Sequence, residues 1–302
     1  MTTAESRNAP QPSFDYEVAF SRNLGWVTPA EQKILRGKTV GIAGLGGVGG
    51  YHAEALARLG VGGFLIADFD HVELPNFNRQ ACALVGNLGR KKSDVIVERL
   101  RGVNPTARVE VWDRGLSKET IAEFVSKIDV YVDGLDFFVL DLRQMLFQEL
   151  QKMGKPGITV APIGLGASLL VFDSDSMGFD DYFQFSKCKT EREKALRFLV
   201  GLTPSMLQRK GLVYPEIVDL ENHRVPSLPV GVFLCAGIAA AETLKVVLGR
   251  GSRRGAPLVH HFDAYSNRYK KSYIWGGNRS PFQRLKIMIA ERQMRAQSRG
   301  VR

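Results

Sequence analysis

A glycine-rich turn between a short apolar strand and an amphipathic helix constrains this chain more than any other feature. Residues 38–44 read KTVGIAG, and residues 48–59 carry apolar side chains at helical spacing. The turn between them, residues 44–49, reads GLGGVG and matches G-x-G-x-x-G. Glycines in this pattern let phosphate oxygens approach backbone N–H groups at a helix N-terminus. The segment therefore predicts a phosphate-binding turn, provided that its surroundings agree.

The surroundings of the turn favour a nucleotide site in an α/β fold. Asp68 ends the next apolar run, residues 64–68, where an acidic side chain can accept hydrogen bonds from ribose hydroxyls. Strand-like and helix-like patterns alternate up to residue 153, which is typical of βαβ units. Two close apolar runs, 158–164 and 167–172, then favour an antiparallel pair. We predict a Rossmann-like twisted, mostly parallel sheet with an antiparallel extension and helices on both faces.

Composition excludes several classes of protein. Apolar residues make up 44% and charged residues 24%, as in an ordinary globular chain with a core. The three cysteines show no paired C-x-x-C spacing, which excludes a disulfide scaffold and a local cysteine zinc site. The longest uncharged run, residues 225–241, is interrupted by prolines and is shorter than the ~20 residues of a spanning helix. With no signal-peptide pattern at the N-terminus, we predict a cytoplasmic protein without membrane attachment.

The pattern along the chain predicts three segments. Residues 1–17 are predicted to be a disordered N-terminal segment, and residues 18–278 a single nucleotide-binding domain. Residues 279–302 form a basic tail with seven Lys or Arg and one acid, which leaves only +4 of the net +10 for the rest. Within the tail, residues 280–297 predict a helix that packs an apolar stripe on the body, the stripe being Phe282, Leu285, Ile289 and Met294. The alternative is a contact between the arginines and an acidic carrier protein or RNA.

Charged and amide side chains after the second strand indicate which nucleotide chemistry is performed. Residues 68–80 read DFDHVELPNFNRQ, Lys92 follows 13 residues after Arg79, and Asp136 ends a later strand. Attack of a carboxylate on the α-phosphate of ATP builds negative charge on phosphate oxygens and on pyrophosphate. Arginine, lysine and an aspartate-held Mg²⁺ stabilise that charge, whereas hydride transfer needs no such set. The pattern favours ATP chemistry over a dehydrogenase.

These motifs together resemble the ThiF/MoeB/HesA family, bacterial relatives of ubiquitin-activating enzymes, over residues 18–275. They occur in the family's order: GLGGVG, D-F-D, N-x-N-R-Q, G-x-x-K, V-N-P and D-x-L-D. The resemblance implies an ATP-dependent adenylyltransferase that converts a carboxylate and MgATP into an acyl-adenylate and pyrophosphate. The implied acceptor is the C-terminal glycine of a ubiquitin-like or sulfur-carrier protein, another peptide C-terminus, or a small carboxylate such as one on a modified tRNA adenosine.

The resemblance also implies a role for each residue of the motifs. The phosphate loop consists of Gly44, Gly46, Gly47 and Gly49, and the D-F-D motif supplies Asp68 for the ribose together with Asp70. The side chains implied around the phosphates are Asn76, Arg79, Gln80 and Lys92. Asp136 is implied to hold Mg²⁺. In a homodimer, Arg22 is implied to reach the ATP of the partner subunit.

The chain departs from the family pattern at three points. Phe137 follows Asp136 where the family usually has Asn. The paired C-x-x-C motifs that bind structural zinc in many members are missing, so we expect no structural zinc. No sulfur-carrier or rhodanese module is fused to the chain.

One cysteine is a candidate for covalent transfer. In relatives that pass the acyl group onward, a cysteine of the crossover segment takes it as a thioester, and Cys188 lies in the equivalent region, residues 173–227. Its neighbours Lys187 and Lys189 favour a thiolate. Two other functions stay open: an NAD-dependent oxidoreductase that uses the same loop and Asp68, and a catalytically silent family member that binds a partner.

Overall fold

The computed structural model describes residues 13–251 and 255–300, with side chains up to residue 293 in the last helix. Of the predicted disordered segment, residues 1–17, the first twelve lie outside the described residues. From residue 15 onward the chain belongs to the fold, because Asp15 accepts a hydrogen bond from Val18 N and the buried Tyr16 donates to Gly60 O at 2.5 Å. The ordered fold therefore begins before the predicted boundary at residue 18.

A single eight-stranded sheet forms the centre of the molecule, with strand order β3-β2-β1-β4-β5-β6-β7-β8. The strands are β1 Thr39–Ala43, β2 Gly63–Ala67, β3 Arg108–Trp112, β4 Val130–Val132, β5 Gly157–Ile163, β6 Gly166–Phe172, β7 Leu258–Asp263 and β8 Arg268–Tyr273. The strands from β3 to β5 in this order pair in parallel, and β5 to β8 pair antiparallel. The predicted fold class is confirmed.

Helices cover both faces of the sheet. They are α1 Tyr16–Ala19, α2 Pro29–Gly37, α3 Gly49–Arg58, α4 Lys92–Val103, α5 Ile121–Ser126, α6 Leu140–Lys152, α7 Phe179–Phe183, α8 Glu191–Leu202, α9 Pro229–Leu248 and α10 Pro281–Gly300. One apolar core lies beneath α3, α4 and α9. A second core, rich in phenylalanine, lies on the opposite face beneath α5, α6, α7 and α8. All five residues of β2 are buried, as expected of a parallel strand covered on both faces.

Helix α9 is the most apolar element of the chain. By length and composition it could cross a membrane, and half of it is buried in the structure. It packs against β5, β6 and α3, and its residues Val232, Cys235 and Ala239 belong to the first core. Part of its apolar character is therefore explained by packing within the fold, while Val230 and Phe233 are exposed.

The structure differs from the sequence prediction most clearly near the C-terminus. Strand β8 was not predicted. The helix after it forms as α10, but its apolar stripe does not pack on the body, because Phe282 is 77% exposed and Leu285 and Ile289 are exposed as well. Instead the buried Gln283 donates to Val200 O at 3.2 Å, and Lys286 Nζ donates to Pro204 O at 2.6 Å. The predicted packing of the stripe is wrong for these residues, and the side chain of Met294 lies outside the described residues.

Candidate functional site

The glycine-rich loop joins β1 to α3 at the carboxyl edge of the parallel strands. Gly44 has φ +83°, and a Cβ there would lie 2.3 Å from Gly134 O, the main chain of the turn after β4. A Cβ on Gly49 would lie 1.8 Å from Gly44 O. Both positions need glycine, because the loop folds back on itself and on the neighbouring turn. Gly44, Gly46 and Gly47 line a cavity, whereas Gly49 lies behind the loop as the first residue of α3.

Asp68 follows β2 and ties the loop to the sheet. Its Oδ2 accepts a hydrogen bond from Leu45 N at 2.5 Å, and its Oδ1 accepts one from Asp70 N at 2.7 Å. Burial raises the pKa of this carboxyl, and the two backbone donors and Lys92 oppose that effect. Asp68 lines the cavity, where it was predicted to meet a ribose. Holding the loop in shape is a second role, which the sequence did not reveal.

Lys92, the first residue of α4, is buried with its ammonium at the cavity. Its Nζ lies 2.8 Å from Asp70 Oδ2, and its backbone N donates to Asp70 O at 2.9 Å. Asp70 and Lys92 both line the cavity. The two residues are 22 positions apart in the chain, and their pairing orients the lysine while the half-exposed carboxylate keeps contact with solvent.

In the N-x-N-R-Q segment, some residues line the cavity and others support the turn that carries them. Arg79 and Gln80 line the cavity beside the loop, and Arg79 Nη1 donates to Pro75 O at 3.0 Å and Asn78 Oδ1 at 2.9 Å. Asn76 is buried outside the cavity wall, and its Oδ1 accepts from Glu73 N at 2.9 Å. The structure therefore gives Asn76 a place in the turn that carries Arg79. It does not bring Asn76 to the predicted phosphate site.

Asp136 lies in the turn after β4 and is exposed on the cavity wall. Its Oδ1 accepts from Phe138 N at 3.0 Å, and among the described residues its Oδ2 has no partner. The next residue, Phe137, also lines the cavity and packs on Phe198 with ring centroids 5.4 Å apart. Where the family usually has an amide, this chain therefore presents an aromatic ring.

A buried ion pair behind this turn was missed by sequence reasoning. Arg143 Nε lies 2.9 Å from Asp133 Oδ2, and both side chains are almost fully buried. The same guanidinium donates to Leu135 O at 2.7 Å and to Asp136 O at 3.0 Å. Arg143 therefore fixes the main chain that carries Asp136. Asp133 stands in the D-x-L-D motif, but nothing in the sequence pattern assigned it a partner ten residues later.

The cavity has a volume of about 410 Å³ and two kinds of wall. One wall is polar, formed by the glycine loop with Asp68, Arg79, Lys92 and Asp136. The other is largely apolar and comes from Val160–Ile163 of β5, Phe198 of α8 and Val225–Ser227 of the crossover segment. Such a cavity can hold phosphates at one end and an uncharged chain at the other.

Residues 203–227, the C-terminal part of the crossover segment, make three of their contacts beside the cavity. The imidazole of His223 stacks on Phe138 with centroids 4.4 Å apart, and Arg192 Nη1 lies 2.7 Å from Glu221 Oε1. Asn78 Nδ2 donates to Ser227 O at 3.0 Å. These contacts connect residues 203–227 to α8, to the Asp136 turn and to the segment before Arg79.

Besides Gly49 and Asn76, two further predicted site residues do not line this chain's own cavity. Arg22 is exposed in the 3₁₀ turn Ser21–Asn23. Cys188 follows the 3₁₀ turn Phe185–Lys187, and its Sγ donates to Gln184 O at 3.5 Å. Burial raises the pKa of the Cys188 thiol to about 11, and the nearby Arg197 only partly opposes this. The expectation that the flanking lysines favour a thiolate is therefore wrong.

Comparison with known proteins agrees with this geometry. The model of the ThiF family matches residues 20–279. The tRNA threonylcarbamoyladenosine dehydratase of Escherichia coli is 43% identical over 96 residues, which are 32% of this chain and 36% of that protein. The chain thus spans little more than a third of that relative. The sulfur carrier protein adenylyltransferase of Thermus thermophilus is 28% identical over 261 residues, covering 85% of this chain and 86% of its own length.

A solved structure shows the same fold. The crystal structure of E. coli MccB with ATP superimposes with a TM-score of 0.64 at 18% identity, covering 87% of this chain and 72% of that chain. At this level of identity the likeness concerns the fold alone.

Proposed function

The chain belongs to the ThiF family, and on that premise we propose that it is an ATP-dependent adenylyltransferase that activates a carboxylate. The product is an acyl-adenylate, and pyrophosphate is released. The observation that carries the proposal is the convergence of the glycine loop, Arg79, Lys92 and Asp136 on one cavity. Relatives named as adenylyltransferases of sulfur carriers support the same reaction class.

The cationic side chains suit the charge that this reaction develops. An oxygen of the carboxylate attacks the α-phosphorus, and the bond to the β-phosphate oxygen breaks, so negative charge grows on non-bridging oxygens and on pyrophosphate. Arg79 and Lys92 lie beside the loop that would hold these phosphates. Preorganised donors at such positions typically contribute a factor of ~10²–10³ in rate each. Asp70 keeps the Lys92 ammonium oriented toward the cavity before the nucleotide arrives.

The donor set also fits Mg²⁺. Among the described residues no cluster of three or more His, Cys, Asp or Glu could hold a metal ion by itself. Mg²⁺ at phosphotransfer sites is usually bound by one or two carboxylates, waters and the substrate's phosphate oxygens. Asp136, one of whose carboxylate oxygens has no partner in the described part of the chain, would hold the ion in this way. When bound, Mg²⁺ would neutralise charge on the phosphate oxygens.

We propose a ubiquitin-like or sulfur-carrier protein as the acceptor. The apolar wall at Val160–Ile163 and Val225–Ser227 suits an extended, uncharged C-terminal tail whose terminal carboxylate reaches the phosphates. Names of relatives support this class, including the adenylyltransferase of ThiS. A small carboxylate, including one on a tRNA, is the second candidate, favoured by the dehydratase match.

We further propose that the protein acts as a cytoplasmic homodimer in which Arg22 serves the partner's site. In its own chain Arg22 is exposed, lies away from the cavity, and has no hydrogen bond or ion pair among the described residues. A guanidinium held on the surface is available to a second subunit.

The decisive experiment is ATP–pyrophosphate exchange with a panel of carrier proteins and small carboxylates. Exchange that depends on one acceptor supports the adenylyltransferase. Nucleotide binding without exchange across the panel favours the silent, partner-binding alternative, for which the ring of Phe137 at the cavity is the supporting feature. Tight NADH binding with hydride transfer and no ATP binding would support the oxidoreductase instead.

A further inference from the structure

Almost all of the net charge of this protein resides in its last 38 residues. Residues 265–302 contain ten Lys or Arg and one Glu, whereas the other 264 residues contain 31 and 30. Such asymmetry indicates a binding surface for a polyanion rather than a general property of the fold. Among the described side chains, up to residue 293, none of this segment lines the cavity.

In the structure this segment forms two adjoining elements, β8 and α10, which we call the C-terminal basic surface. Strand β8 is the edge of the sheet and pairs only with β7. Five of its six residues are exposed, including Arg268, Lys270 and Lys271. Burial, and to a lesser extent the Lys270 ammonium, lower the pKa of Lys286 on α10.

Exposed aromatic rings lie close to these cations in the chain. Along β8 and the residues after it, Tyr269 is 50% exposed, Tyr273 59% and Trp275 80%. The Tyr269 ring is stacked on Phe262 with centroids 4.6 Å apart, and its hydroxyl lies 2.7 Å from His260 Nδ1. These contacts hold the Tyr269 ring in place, so a ligand that stacks on its exposed face would not have to immobilise the side chain.

Two carboxylates on elements next to β8, Asp263 and Glu242, are engaged within the fold. Asp263 of β7 is buried, and its Oδ2 accepts from Ser266 N at 3.0 Å. Glu242 of α9 is buried and paired with Lys245. An approaching polyanion therefore meets ammonium and guanidinium groups with aromatic faces between them.

We propose that the C-terminal basic surface binds single-stranded segments of RNA. Phosphates would be held by Arg268, Lys270 and Lys271, and unstacked bases would lie on Tyr273 and Trp275, the combination by which proteins bind single strands. Successive side chains of β8 point to opposite faces, so Arg268 and Lys270 lie on one face and Tyr269, Lys271 and Tyr273 on the other. A single strand that follows this exposed edge can contact both faces, whereas a flat lipid surface would meet only one. This inference does not depend on which carboxylate the cavity adenylates.

The test measures fluorescence anisotropy of a labelled single-stranded RNA of about 12 nucleotides, a length within the usual site size. Wild-type protein is expected to bind, and log K is expected to fall linearly with log salt. Replacing Lys270 and Lys271 by alanine should reduce the magnitude of that slope by about 1.4, since each phosphate contact contributes ~0.7 for single strands. The matched control removes two exposed lysines elsewhere, Lys33→Ala with Lys118→Ala, and should leave the slope unchanged.

A second variant tests base stacking separately from charge. Trp275→Ala should weaken binding by about fivefold to a hundredfold, the range for loss of one base–aromatic stack, with no change in the salt slope. Trp26→Ala removes an equally exposed tryptophan, 85% exposed, outside the surface and should have no effect. Tyr273→Ala provides a second test if Trp275→Ala lowers thermal stability.

Three results would overturn the proposal. One is absence of RNA binding at low salt, and another is equal weakening by the control variants. The third is preference for vesicles containing phosphatidylserine over RNA at matched charge, which would identify the surface as a membrane contact. Adenylation activity enters none of these measurements, so failure here leaves the proposed enzyme activity untouched.

Discussion

Arg143 and Asp133 form a buried ion pair, with 2.9 Å between Nε and Oδ2, directly behind the turn that presents Asp136. The guanidinium is shielded from solvent, and its other N–H groups donate hydrogen bonds to the carbonyl oxygens of Leu135, Asp136 and Val139. The position of Asp136, the proposed Mg²⁺ ligand, therefore depends on Arg143, which belongs to none of the sequence motifs.

Removing Arg143 should destabilise the protein strongly. Arg143→Met leaves Asp133 buried without its cation, and breaking a buried pair in this way typically costs about 3–5 kcal/mol. We expect the free energy of unfolding, measured by urea denaturation, to fall by that amount. Arg114→Met removes an exposed arginine and serves as the control. A loss below about 1 kcal/mol would show that the pair does not hold the turn.

Replacing Asp136 should remove activity without affecting the fold. Its carboxylate is exposed and accepts one backbone hydrogen bond from the described residues, so Asp136→Asn is expected to leave the unfolding midpoint nearly unchanged. Pyrophosphate exchange with an acceptor that supports it should fall by ~10²–10³. Asp175→Asn, at an exposed acid away from the cavity, makes the same change of charge and should retain full activity. Exchange within about threefold of wild type would refute the metal assignment.

Mixing two inactive variants tests whether Arg22 acts between subunits. Arg22→Ala and Lys92→Met should each lack exchange activity, whereas a refolded equimolar mixture should regain about a quarter of it, because half the dimers are mixed and each has one intact site. Sedimentation of each variant checks that dimers form. A monomeric protein, or a mixture as inactive as its components, would limit Arg22 to a structural role.

The reactivity of Cys188 should rise with pH well beyond neutrality. Burial raises the pKa of this thiol to about 11, so its thiolate is scarce at pH 7 and increases up to that value. Iodoacetamide labelling, followed by peptide mass spectrometry, should therefore be slower at Cys188 than for free cysteine and should not level off near pH 9. Labelling that reaches its plateau below pH 8 would contradict this and revive the thioester role. Cys188→Ser should keep exchange within about twofold.

Local sequence predicted the parallel half of the fold well. The strand, glycine loop, helix and Asp68 follow one another in the chain, and the residue pattern that each of them needs is only a few residues long. The pairing of Lys92 with Asp70 and of Arg143 with Asp133 depends on the angle at which a helix meets the sheet edge. No spacing in the chain expresses that angle.

The C-terminal elements show a different reason for failure. Strand β8 was missed because a strand exposed on both faces has no alternation of apolar and polar residues. Helix α10 has the predicted apolar stripe, but periodicity only identifies that face and does not say which face meets the body. The face of α10 that meets the body is the one with Gln283, because its side-chain amide donates a hydrogen bond to the carbonyl of Val200 on α8.

The contact between the turns at Gly44 and Gly134 has a consequence for how this site can change. The chain leaves β1 through α3, on one face of the sheet, and returns in β2. It leaves the neighbouring strand β4 through α6, on the other face, and returns in β5. The two turns therefore diverge at the point where the strand order reverses, and a cleft opens between them. The cleft is thus a product of topology. Exchanging rim residues such as Phe137 and Val225 would therefore alter the proposed acceptor end of the cleft without touching the glycine loop.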